Sequence, residues 1–187
     1  MPELPEVETV KNGLKKKVKG RRILSCRVLW PGIIAYPDKE TFIKEIANQT
    51  IKDLSRRGKF IIFHLDDYVL ISHLRMEGKY FVRRKGEPVE KHTHVIFYFM
   101  DGNELHYNDV RKFGRMELFK TGEETTLSGI SKLGPEPTEK NFDSQKFYEG
   151  LQKRKKPIKT ALLDQTLVAG VGNIYADEVL YMAKIHP

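Results

Sequence analysis

The apolar residues of this chain keep a helical period at both ends and a strand period between them. Val7, Val10, Leu14 and Val18 recur at spacings of 3, 4 and 4, which places them on one face of a helix. Pro5 suits the first turn of that helix, and Glu6 and Glu8 offset the positive end of its dipole. Arg22 to Trp30 reads as a strand rich in β-branched and large apolar residues, broken by Trp30-Pro31-Gly32. Asp38 is the N-cap of a short helix in which Phe42, Ile43 and Ile46 share a face. From Thr50 the pattern is β, with segments near 51–55, 60–65, 69–74, 79–83, 94–100, 104–107 and 115–119. Turn signals separate them, most clearly Arg57-Gly58, Asp66-Asp67 and Asp101-Gly102. This predicts an antiparallel meander folded into a sandwich with helices at its edge.

After about Lys120 the composition changes. Leu133-Gly134-Pro135-Glu136-Pro137 reads as a rigid elbow, and Phe142 to Lys153 and Ile158 to Val168 read as helices. Ala169-Gly170-Val171-Gly172-Asn173 breaks that pattern before a third helix from Ile174. The expected fold class is α+β, with a β-sandwich unit over residues 1–125 and a helical unit over 126–187.

Composition narrows the partner more than the chemistry. Thirty-three basic against twenty-five acidic residues give a net charge of +8, which suits a polyanion. The charge gathers at Lys15-Lys16-Lys17, Arg21-Arg22, Arg83-Arg84-Lys85 and Lys153-Arg154-Lys155-Lys156, although such runs are also ordinary solvated faces. A single cysteine, Cys26, excludes an internal disulfide and a multi-cysteine zinc site. No apolar run approaches the roughly 18 residues of a membrane span, and a cytoplasmic location is expected. Six histidines occur without metal-ligand spacing, and no nucleophile elbow or nucleotide phosphate loop is present.

Candidate chemistry begins at the N-terminus. Once Met1 is removed, the chain starts with the secondary amine of Pro2 beside the carboxylate of Glu3. An α-amino group has a reference pKa of roughly 7.7–8, so it is partly unprotonated near neutrality and can form an imine. On chemistry alone, Pro-Glu-Leu-Pro-Glu is more simply the start of a helix. Leu74-Arg75-Met76-Glu77-Gly78 and Asn108-Asp109-Val110-Arg111-Lys112-Phe113-Gly114 are loops presenting Met76 and Glu77, and Arg111 and Phe113. A methionine between strands is ordinarily core, and Arg-Lys-Phe is an ordinary start to a strand. Gly170-Val171-Gly172-Asn173 lies between helices, so it is no dinucleotide fingerprint. Its glycines let N–H groups approach a phosphate, and Asn173 can cap the next helix.

Taken together, Met1 to Val10, the two loops, Lys59 after its turn and the glycine segment resemble the formamidopyrimidine-DNA glycosylases over the whole chain. The resemblance implies a β-sandwich followed by the start of a helix-two-turns-helix domain. It implies a bifunctional glycosylase and abasic-site lyase that excises oxidised purines such as 8-oxoguanine and formamidopyrimidines from double-stranded DNA. Pro2 would attack the sugar, Glu3 would transfer protons, Lys59 would assist, and β,δ-elimination would cut the strand. Glu6 and Glu77 would lie near the lesion. Met76, Arg111 and Phe113 would enter the base stack, and His73, Lys159, Gly172 and Asn173 would contact phosphates. The family's four-cysteine zinc finger lies beyond Pro187, so the resemblance implies one zinc ion outside these residues, none within them, and impaired excision by the isolated chain, a monomer. Leu4 with Met76, Arg111 and Phe113 favours the purine branch over the oxidised-pyrimidine branch. A non-catalytic DNA-binding protein is the rival from another class, favoured if Met1 is retained.

Overall fold

In the computed structural model, which describes residues 1–187, helix α1 runs from Leu4 to Val18 and closes one side of a two-sheet core. Val7, Leu14 and Val18 are buried and Val10 packs partly against them, as the spacing predicts. The Glu3 N–H donates to Glu6 Oε2 at 3.0 Å, supplying a partner for a donor that the first turn leaves free.

After α1 come β1 (Ile23–Val28), a 3-10 turn (Pro31–Ile33), β2 (Ile34–Tyr36) and α2 (Lys39–Ile46). Asp38 caps α2, accepting from the Thr41 N–H at 3.0 Å. Phe42 and Ile46 are fully buried and Ile43 partly so. The strands β3 (Asp53–Arg57), β4 (Phe60–His64), β5 (Tyr68–His73), β6 (Lys79–Arg84), β7 (Thr93–Phe99), β8 (Asn103–Asn108) and β9 (Arg115–Lys120) follow. They form a four-stranded sheet ordered β1-β7-β8-β6 and a five-stranded sheet ordered β2-β9-β5-β4-β3. The core lies between them, where Phe97, Leu105 and Tyr107 of one sheet meet Leu54, Phe63, Leu70 and Met116 of the other. Each large side chain so buried contributes about 1.5–3 kcal/mol. β4 and β5 are apolar on both faces because Ile62, Val69, Ile71 and Phe119 form a second cluster beneath Phe60 and Ile130.

Several details depart from the periodicity. β2 has too few residues to show a pattern, and it pairs with β9 in parallel, so the five-stranded sheet is mixed rather than wholly antiparallel. Its Tyr36 ring stacks on Phe119 at 4.8 Å. After helix α3 (Glu124–Leu127), a 3-10 turn (Gly129–Lys132) packs Ile130 on the second cluster without an apolar period of its own. Helix α4 (Ser144–Gln152) is capped by Asp143. The helix expected over 158–168 stops early, giving α5 (Ile158–Leu162). There the Asp164 carboxylate accepts from the Thr166 N–H at 3.0 Å and its hydroxyl at 2.7 Å, a local turn that competes with the helix. Helix α6 (Asn173–Ala183) packs Ala176 and Leu180 on Leu162. No helix is long and apolar enough to cross a membrane.

Candidate active site and nucleic-acid interface

Glu3 immediately precedes α1, yet its carboxylate belongs structurally to the other end of the chain. It accepts from the backbone N–H groups of Gly172 at 2.9 Å, Ile174 at 2.8 Å and Tyr175 at 3.1 Å. These are the free donors at the positive end of α6, where a carboxylate is favoured. Glu3 is only 3% exposed. The Leu4 N–H donates to the Gly170 carbonyl at 3.0 Å, so two successive residues are tied to the glycine segment. A Cβ at Gly172 would lie 2.6 Å from the Glu3 carboxyl, so the glycine is needed for this close approach. Glu6 is bound from the same helix, accepting the Tyr175 hydroxyl at 3.0 Å. Pro2 is half-buried beside Glu3.

This arrangement corrects the capping expected of Asn173. Gly172, not Asn173, is the N-cap of α6, and Asn173 is an exposed first-turn residue with no capping bond. The Gly172 N–H serves an anion, but that anion is the protein's own Glu3. The cap comes from the far end of the sequence, which no local pattern displays.

Lys59 is buried at the turn between β3 and β4. Burial holds its ammonium below the ordinary lysine range, and attraction to Glu3 only partly offsets this. The group is therefore a less reluctant proton donor than a surface lysine. The hairpin carrying it is clamped by buried charge. Arg56 donates through Nη1 and Nη2 to Glu136 at 2.8 and 3.0 Å and through Nε to Glu8 at 2.6 Å. Glu136 also accepts the Gly58 N–H at 2.6 Å. The Leu133–Pro137 elbow is thus a clasp on the lysine hairpin, although its sequence shows only stiffness.

His73 faces the same cavity, of about 230 Å³, together with Lys59, Arg75 and Lys132. Burial, followed by repulsion from Arg75 and Lys59, depresses its pKa to about 3. Its Nδ1 accepts the Arg75 N–H at 3.0 Å, so the proton of the neutral ring sits on Nε2. His73 therefore offers an N–H and no charge.

The two loops expose apolar tips. Met76 is 42% and Phe113 47% exposed, and the Arg111 guanidinium lies 4.8 Å over the Phe113 ring. Arg111 and Glu77 are exposed beside them. Lys112 reaches the Trp30 ring at 4.2 Å and extends the cationic edge. Lys159 is paired with Asp177 of α6 at 2.7 Å, so any phosphate it takes must compete with that carboxylate. The structure thus brings Glu6 and Lys59 to Glu3, the neighbour of Pro2, brings His73 and Arg75 to the lysine cavity, and leaves Lys159 on the helical unit. Sequence reasoning missed Arg56, Glu136 and Tyr175, whose roles arise from contacts across the fold.

Residues 1–116 match the Formamidopyrimidine-DNA glycosylase N-terminal domain and residues 133–187 the Formamidopyrimidine-DNA glycosylase H2TH domain. The chain belongs to the formamidopyrimidine-DNA glycosylase family. It is 59% identical over 188 residues to the Formamidopyrimidine-DNA glycosylase of Ligilactobacillus salivarius, covering 100% of this chain and 68% of that protein. It is 53% identical to that of Bacillus subtilis, again over 100% of this chain and 68% of the relative. Among solved structures it is similar to Lactococcus lactis Fpg in complex with DNA containing an abasic site, at a TM-score of 0.92 and 49% identity over 99% of this chain and 68% of that one. It is equally similar to the same protein with DNA containing N7-benzyl-Fapy-dG, at a TM-score of 0.92 and 49% identity over 100% and 69% of the two chains.

Membership places the chain among the DNA glycosylases of base-excision repair. A zinc ion does not fit the residues present here. Cys26 is alone and buried, with its thiol pushed up to about 12, and no group of three or more potential ligands is assembled.

Proposed function

We propose that this chain excises oxidised purines from duplex DNA and cleaves the resulting abasic site through an imine on Pro2. The observation that carries the reading is the clamped Glu3 carboxylate beside Pro2, with the buried Lys59 amine close enough to sense its charge. After removal of the exposed Met1, the neutral Pro2 amine forms a bond to C1′ as the bond to the damaged base breaks. Glu3, held near the same atoms by three backbone donors, takes the proton that the Pro2 nitrogen releases, delivers it to the ring oxygen as the sugar opens, and later removes one from the carbon next to the iminium. The resulting iminium cation acidifies the adjacent carbon. Successive eliminations then expel the 3′ and 5′ phosphates, and hydrolysis of the imine restores the amine.

Met76, Arg111 and Phe113 replace the stacking and pairing lost when the nucleotide swings out, which costs a few kcal/mol. Lys59 and the neutral Nε2–H of His73 bind the backbone beside the lesion, with Lys59 also passing protons, while Lys159 exchanges Asp177 for a phosphate. Glu6 and Glu77 border the lesion. The Lactococcus lactis complexes with abasic-site and Fapy-dG-type DNA support this substrate class. The division into residues 1–125 and 126–187 accompanies the reading, with Glu3 and Arg56 as the ties between the two units.

Borohydride trapping on an abasic-site duplex, followed by mass mapping, tests the chemistry. The expected product is a crosslink on the peptide that begins at Pro2. A chain with Met1 removed that binds the duplex yet gives no crosslink, or one crosslinked only at a lysine, would refute the assignment.

A further inference from the structure

Tyr107 is fully buried near the end of β8, and both exposed loops close over its hydroxyl. A Cβ at Gly78, which ends the Met76 loop, would lie 2.4 Å from that oxygen. One at Gly114, which ends the Phe113 loop, would lie 1.7 Å from it. Both loops therefore reach the same atom, and glycine at each end is what admits them.

The hydroxyl donates to Asp109 Oδ2 at 3.3 Å, and burial pushes the phenol far above its usual range, so it remains a donor. Asp109 is itself fully buried. Its Oδ1 accepts the N–H groups of Arg111 and Lys112, both at 3.1 Å, and its Oδ2 accepts that of Gly114 at 2.8 Å. Its backbone is held too: its N–H donates to the His92 carbonyl at 3.0 Å, and its carbonyl accepts from His94 Nε2 at 2.7 Å. Each loop also contains a non-glycine residue in the left-handed region, Arg75 at φ 54° and Lys112 at φ 57°. Such residues persist where their surroundings over-determine them. Neither Tyr107 nor Asp109 reaches the surface, so neither can touch DNA.

We propose that Tyr107 and Asp109 are positioning residues that couple the Met76 loop to the Arg111–Phe113 loop, so that the two apolar tips enter a duplex as one unit of fixed spacing. The inference rests on the reading that these tips enter DNA, and goes beyond it by making their spacing a property of one buried hydroxyl and one buried carboxylate. A hydroxyl that merely filled a hole would leave the tips independent.

The test is a double-mutant cycle on affinity for a duplex containing a tetrahydrofuran abasic analogue. Met76→Ala, Phe113→Ala and their combination are compared in the native and Tyr107→Phe backgrounds. With Tyr107 present, the two tips should show a coupling of about threefold or more, and in Tyr107→Phe the coupling should fall to about onefold. Coupling that survives in Tyr107→Phe, or tips that act independently with Tyr107 in place, overturns the proposal but leaves the wedge reading intact. Single variants that both bind like the native chain overturn both.

A second measurement asks the same question without DNA. Gly114→Ala forces a Cβ onto the hydroxyl, so hydrogen exchange should quicken in residues 74–78 as well as in 110–114, with β4 unchanged. Quickening confined to 110–114 overturns the proposal.

Discussion

At the N-terminal end of the site charge is buried and held, whereas at the loop edge apolar surface is exposed and held. Glu3, Lys59, Arg56 and Glu136 lie in or near the interior, and backbone donors or opposite charges surround the carboxylates. Met76 and Phe113 stand in solvent on loops fixed from below by Tyr107 and Asp109. The first arrangement suits proton transfer, because a desolvated amine and a clamped carboxylate keep their geometry. The second suits insertion, because surface left unburied in the free protein is available to replace lost base stacking.

The contrast is broken most severely at Glu3. Glu3→Gln should lower base excision by at least about a hundredfold, since it removes the proton-transfer group and turns an amide N–H₂ toward the α6 donors. Single-turnover kinetics on an oxidised-purine duplex measures this, and excision near the native rate would refute the role. Glu136→Gln is expected to act on stability instead. Breaking a buried ion pair costs about 3–5 kcal/mol, and for a chain of this size each kcal/mol shifts the melting temperature by about 2–4 °C. Calorimetry that found Glu136→Gln as stable as the native chain would show that Arg56 is satisfied without it.

The loop edge should respond in the opposite sense. Met76→Ala and Phe113→Ala remove exposed groups, so melting should change by less than about 0.5 kcal/mol of stability. Affinity for lesion duplex should nevertheless fall about tenfold, as loss of one stacking contact worth about 1–3 kcal/mol implies. A large loss of stability without loss of affinity would mean that the tips are structural.

A pH dependence sharpens the electrostatics of the buried end. His73, held near 3, remains neutral in the folded chain at pH values where an unfolded histidine, with a pKa of about 6.5, takes up a proton. Between these values the unfolded state binds more protons, so stability falls as pH drops, by at most about 1.4 kcal/mol per pH unit. Burial alone would raise the Glu136 carboxyl, but hydrogen bonds from Arg56 and Gly58 outweigh it and hold it below its ordinary range. Its contribution is present above the unfolded carboxylate value of about 4.3 and is lost as pH falls through the lowered one. Urea midpoints from pH 7 to 4 should therefore decline, and His73→Gln should flatten the upper part of that decline. An unchanged slope in His73→Gln would contradict a neutral buried imidazole.

Much of the frame was legible because burial imposes a period on neighbouring residues. Val7, Leu14 and Val18 mark α1, since a helix buries every third or fourth residue, and the segments from Phe60 to Phe119 fall close to the observed strands, since they are short apolar runs bounded by turn signals. Met76 and Phe113 were legible as candidates only through the family motif, because an apolar residue in a loop carries no mark of whether it is buried. Asp109 and Glu136 were not legible as organising residues. Asp109 stands in an ordinary polar loop and Glu136 between two prolines, and the groups that bind them arrive from other elements.

The sequence by itself determined the succession of elements, the basic surface and the reactive candidates at the N-terminus, because these depend on residues adjacent or a few positions apart. The tertiary structure alone decided that Glu3 caps a helix 169 residues away, that Arg56 clasps Glu136 across 80 residues, and that β2 lies parallel to β9. A carboxylate or a short strand carries no local record of its partner. The partner is chosen when the packed core brings distant N–H groups and edges within hydrogen-bonding distance, where leaving them unpaired would cost about 1–3 kcal/mol each.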